Sequence, residues 1–112
     1  MKVKTQMEGD VAVVHVSGKL MGGPESDNLR NEVKQLIEGG TKKFVINLHG
    51  VPWINSTGLG ALMSVYTSVQ RGEGSLKLCN VSDRIQSLFM ITKLLTIFDT
   101  YSSESEAVEA FK

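Results

Sequence analysis

What this sequence has little of narrows its function before any motif is read. It holds one cysteine, Cys79, which has no disulfide partner within the chain and sits in an apolar, strand-like run, where it reads as a buried apolar side chain. The fold must therefore rest on a hydrophobic core, and 112 residues with 41% hydrophobic content suffice for one. Net charge is absent, because twelve Lys plus Arg balance twelve Asp plus Glu. With no basic run and no interleaved aromatic stripe, nucleic acid is not an expected partner. No apolar run approaches the roughly 20 residues that span a bilayer. The opening MKVKTQMEGD also lacks the apolar centre of a signal peptide, so a cytoplasmic protein is expected. Three further absences concern chemistry. There is no pair of carboxylates placed for acid-base work, no His, Cys and Asp cluster at metal spacing, and no Gly-rich phosphate loop with its Lys. A non-enzyme is expected, with no catalytic residue, metal or cofactor. No repeat, linker or low-complexity segment divides residues 1–112, which read as a single domain.

What is present is an alternation of strand and helix signals. Val3, Thr5 and Met7 alternate with Lys2, Lys4, Gln6 and Glu8, the period of an edge strand with one wet face. Gly9-Asp10 makes a two-residue hairpin turn into Val11-Ala12-Val13-Val14-His15-Val16, a run suited to a central strand covered on both sides. His15 in this run reads as a core or interface histidine. After a loop over Lys19 to Gly23, Pro24 opens a helix with apolar face Leu29, Val33, Leu36 and Ile37, which Gly39-Gly40 stops. Phe44 to Leu48 is the third strand and Ser75 to Cys79 a fourth. Ser82 caps a short helix carrying Ile85, Leu88 and Phe89. Leu94 to Phe98 suits a last short strand, and Ser103 with Glu106 has capping-box spacing before Ala107, Val108 and Phe111. The predicted class is α/β, a mixed sheet of four to five strands in which a hairpin is followed by parallel strands, with helices packed on it.

The centre of this plan is Trp53-Ile54-Asn55-Ser56-Thr57-Gly58-Leu59-Gly60, where a strand turns into a helix. Asn55, Ser56 and Thr57 are all N-cap types. Leu59, Leu62, Met63, Tyr66 and Val69 form the buried helical face, and Gly58, Gly60 and Ala61 let the first turn lie close to its neighbours. The Ser56 hydroxyl then stands at the positive end of a helix. Loops leaving the carboxyl ends of parallel strands lie together. Ser56 is thus expected between Met21, Gly22 and Gly23 on one side and Asn80 on the other, on a shallow surface.

The segment Gly18-Lys19-Leu20 and above all Ile54-Asn55-Ser56-Thr57-Gly58-Leu59-Gly60 resemble the bacterial anti-sigma-factor antagonists of the STAS domain family, across essentially the whole chain. That family follows the strand with Asp-Ser-Ser/Thr-Gly-Leu-Gly, whose first hydroxyl residue is phosphorylated by a serine kinase that is also the anti-sigma factor. Carried over, this residue is Ser56. The resemblance further implies that a metal-dependent serine phosphatase removes the phosphate and that only the bare form binds the kinase. Here Asn55 replaces the family's Asp, and Met21 replaces an Asp common in the first loop, so two carboxylates beside the phosphate are missing. The implied docking patch comprises Met21, Gly22, Gly23, Trp53, Asn55, Thr57, Gly58, Ser64 and Thr67.

Competing readings stand beside this one. Ser56 can be a helix cap and nothing more, and Thr57 a first-turn packing residue. Trp53 can anchor a partner or merely cover the sheet end. His49 lacks both an orienting acid and the strained Gly-x-Ser-x-Gly elbow of a hydrolase. The chain can also be a constitutive adaptor subunit of a transport or signalling assembly, or a module that binds an anionic metabolite at the same helix end. Oligomeric state is not legible.

Overall fold

A computed structural model of the protein describes residues 2–18 and 24–112, with side chains of the first helix from Ser26 onward. The expected loop over Lys19 to Gly23, including Met21, Gly22 and Gly23, lies outside the described residues. Strand β1 (Lys2–Glu8) pairs antiparallel with β2 (Val11–Ser17), Glu8 opposite Val11 across the Gly9-Asp10 turn. Next come α1 (Pro24–Glu38), β3 (Lys43–Gly50), α2 (Ser56–Arg71), β4 (Ser75–Cys79), α3 (Asp83–Ile91), β5 (Asp99–Tyr101) and α4 (Glu104–Glu109). The β2–β3, β3–β4 and β4–β5 pairs are all parallel. The mixed five-stranded sheet runs in sequential order, β1-β2-β3-β4-β5.

That order decides where the helices go. Each parallel step to the next strand is a right-handed crossover in nearly all folds, so successive crossover helices fall on one face of the sheet. Accordingly Leu29 and Val33 of α1, Leu62, Val65 and Val69 of α2, and Ile85 and Phe89 of α3 share one core with Ala12, Val14, Phe44, Ile46, Leu76 and Leu78. The opposite face is covered by α4, whose Ala107 and Val108 meet Val11, Val13, Val45 and Cys79. This two-sided cover explains the unbroken apolar run of β2.

Several expectations need correction. The segment read as a strand over Leu94 to Phe98 is a 3₁₀ turn (Leu94–Thr96), and the strand follows it at Asp99. Its buried residues are Leu94 and Phe98, one helical turn apart, while Leu95 and Ile97 are 37% exposed. That is helical spacing, which the density of apolar residues concealed. His15 is not in the core. It lies half-exposed at the sheet end, Nε2 2.8 Å from Glu104 Oε1, at ion-pair distance but without hydrogen-bond direction. Gly60 is exposed with open space about it, so Gly58 and Ala61 alone let the first turn of α2 pack closely. Gly40, at φ +99°, ends α1 in the left-handed conformation, and Thr41 N–H reaches back to Leu36 O at 3.0 Å.

Candidate functional site

The site is built by the segment that carries β3 into α2. Gly50 leaves the strand where only a missing side chain fits, since a Cβ there would lie 2.7 Å from Ser17 Cβ. Gly18 N–H donates to Gly50 O at 2.9 Å, locking the ends of β2 and β3 together. Val51 and Ile54 are then buried as anchors, and between them Pro52 O accepts a hydrogen bond from Ser82 Oγ at 3.0 Å. That bond ties the loop after β3 to the start of α3. Ser82 also caps α3, its Oγ accepting from Ile85 N–H at 3.3 Å.

Among the three capping types in a row, the residue that caps α2 is Asn55. Its backbone is extended, at φ −98° and ψ −176°, and its Oδ1 accepts from Gly58 N–H at 2.8 Å. Ser56 is therefore the first residue inside the helix. It is exposed, and no hydrogen bond engages its hydroxyl among the described residues. Thr57 beside it is exposed too, whereas Gly58 is buried. The first turn carries no acidic residue, so the partial positive charge of the helix end is unopposed from within α2.

Ser56 opens onto a cleft of about 600 Å³ between the start of α2 and the outer side of α3. Trp53, Ile54 and Leu59 form one wall, and Arg84, Leu88 and Ile91 the other. Trp53 and Ile91 are unusually open for apolar residues, at 37% and 80% exposure. Arg84 places its guanidinium 5.6 Å from the centre of the Trp53 ring. In the core, Tyr66 meets Phe98 in a T-shaped contact at 5.6 Å and Phe89 meets Phe98 in a tilted one at 5.4 Å.

The neighbour of Ser56 on this side is thus α3, not Asn80. Asn80 lines a separate depression with His15, Asn47 and His49, and its side chain donates to Ser102 O at 3.3 Å, on the side of α4. Ser64 is half-buried and Thr67 exposed; neither lines the cleft, and Thr67 Oγ1 donates back to Met63 O at 3.0 Å. Arg84, Leu88 and Ile91 were not singled out for the site from the sequence. Their spacing of three to four residues marks one helical face, but a stripe does not say what it faces. Among the described residues there is no group of three His, Cys, Asp or Glu able to hold a metal, and no helix long and apolar enough to cross a membrane.

A mixed sheet with sequential strand order, helices α1 to α3 on one face, the short α4 on the other and an exposed serine opening the helix after an Asn cap define a narrow class of α/β domain. The profile of the STAS domain family matches residues 2–107, and the chain belongs to that family. An anti-sigma-B factor antagonist of Bacillus subtilis is 41% identical over 78 residues, covering 70% of either chain. An anti-sigma factor antagonist from Mycobacterium paratuberculosis has the same fold, with a TM-score of 0.81 at 21% identity over 97% of this chain and 92% of that one. The anti-sigma factor antagonist SpoIIAA superposes in its unphosphorylated form, with a TM-score of 0.76 at 17% identity over 98% of this chain and 97% of that one. Its phosphorylated form, from Bacillus, superposes with a TM-score of 0.77 at 18% identity over 99% and 100%.

Proposed function

We propose that this protein is an anti-sigma-factor antagonist, a cytoplasmic, non-catalytic binding domain switched by phosphorylation of Ser56. In the bare state it binds a serine kinase that is also the anti-sigma factor. That kinase transfers the terminal phosphoryl group of ATP to Ser56 Oγ, and a serine phosphatase restores the hydroxyl. The docking patch is centred on Trp53, Asn55, Ser56 and Thr57. Met21, Gly22 and Gly23 of the first loop, outside the described residues, are assigned to it from the family resemblance, and half-buried Ser64 and exposed Thr67 of α2 extend it. Buried Gly58 contributes by letting the backbone come close.

One observation carries this reading: the cap of α2 falls to Asn55 and not to Ser56. Asn55 makes the cap, which leaves the Ser56 hydroxyl exposed at the helix start, without a hydrogen bond among the described residues. The relatives named as antagonists support it from the side of sequence. The loss of the family's carboxylate at Asn55 is compatible with it, because an amide caps as a carboxylate does and does not repel a phosphate. Incubation with the cognate kinase and ATP, followed by peptide mass spectrometry, tests the assignment. Phosphate is expected on Ser56 and absent from Ser56→Ala; modification that persists in Ser56→Ala contradicts it.

A further inference from the structure

Arg84 has no acidic partner among the described residues. Its recorded contact is the exposed face of Trp53, and it is the charged member of a cleft wall otherwise made of apolar and hydroxyl side chains. Ser56 lines the same cleft, and α2 presents no acid in its first turn to compete for the cation. A guanidinium resting on an exposed ring is held weakly, whereas a phosphate offers it a two-pronged, charge-assisted pair. The geometry points to Arg84 as the side chain that receives the phosphate on Ser56: on modification its guanidinium leaves the Trp53 ring and binds two phosphate oxygens. This rests on the reading of Ser56 as the acceptor.

The consequence is a switch that acts at two points of one surface. The new charge appears at the start of α2, and the indole of Trp53 loses its cover at the mouth of the cleft. Asn55 belongs to the same logic, since an aspartate there would put a carboxylate close to the phosphate and compete for the same cation.

The test installs phosphoserine at position 56 during translation, so that no kinase is required, in the wild-type background and in Arg84→Gln. The second ionisation of a phosphoserine falls near pH 6, and phosphorus NMR follows it directly. A facing guanidinium favours the dianion, so the midpoint is expected at least about half a pH unit lower in the wild-type background than in Arg84→Gln. Asp83, next in the chain to Arg84, is present in both and cancels. Emission from Trp53, the single tryptophan, should change on phosphorylation in the wild-type background and not in Arg84→Gln. Should that variant fail to fold, Arg84→Met makes the same comparison while keeping an aliphatic stem over the indole. Equal midpoints in both backgrounds overturn the assignment. Because the phosphate is placed in translation, this result is independent of the kinase assay that tests Ser56 as acceptor.

Discussion

Asn55 and Ser56 are adjacent, chemically similar and assigned opposite duties, and stability measurements can separate them. Removing the Asn55 cap frees Gly58 N–H, and loss of such a cap costs about 1 kcal/mol. For a chain of this size Asn55→Ala should therefore lower the melting temperature by roughly 4 °C. Ser56→Ala should leave the melt unchanged to within about 2 °C, since no hydrogen bond engages the hydroxyl among the described residues. A larger loss in Ser56→Ala than in Asn55→Ala would return the capping role to Ser56. Cys79 makes a second prediction at this scale. Burial, with the Glu104 charge as a smaller influence, pushes its thiol from 9.0 up to about 12. The native thiol therefore stays protonated where the unfolded one ionises. Unfolding then releases a proton, so this group's contribution to stability is lost as pH climbs from about 9 towards 12. Native protein at pH 8 should resist thiol reagents that label it fully in denaturant; fast labelling of the native form would show Cys79 to be accessible.

The individual elements were readable from the sequence wherever a local rule had a single outcome. The Gly9-Asp10 hairpin, the glycine stop of α1 and the Ser82 and Ser103 caps depend on neighbours within a few residues, and all are found. The stretch over Leu94 to Phe98 was misread because five nearly apolar residues fit strand and helix alike, and the choice fell to packing of Phe98 against Tyr66 and Phe89. Of the residues lining the cleft, Ser56 and Trp53 were singled out from motif and position. The α3 wall was not, because its place beside Ser56 depends on the Ser82–Pro52 hydrogen bond and on the shared core beneath. These contacts span 30 residues of chain. Gly50 is where strand pairing sets the loop, and its prediction belongs here. A methyl group at this position meets Ser17 at 2.7 Å, so Gly50→Ala should cost about 1–3 kcal/mol. It should also shift the amide resonances of residues 51–56 in NMR spectra. A variant as stable as the parent, with those resonances unmoved, would mean that β2 and β3 are not clasped there.

At the scale of the whole molecule, sequential strand order gives the site its character. No reversal of direction opens a crevice in this sheet of the kind that holds nucleotides in doubly wound folds. The residues of the proposed site are left on a rim, with Val51, Ile54 and Leu62 buried in the core. On the proposed reading, a modification on such a rim changes recognition without disturbing the fold. A phosphate at Ser56 adds about two negative charges at a helix start, where exposed charge is favoured by about 0.3–1 kcal/mol, so folding tolerates it. Against a docked partner the same charges must be desolvated or repelled, and about 1.4 kcal/mol already weakens binding tenfold. The direct test is calorimetric titration of the cognate kinase with bare and Ser56-phosphorylated protein, with thermal melts on the same samples. Phosphorylation is expected to lower affinity at least about tenfold while moving the melting temperature by no more than a few degrees, with Ser56→Ala binding as the bare form does. Equal affinity for the bare and phosphorylated forms would contradict the switch.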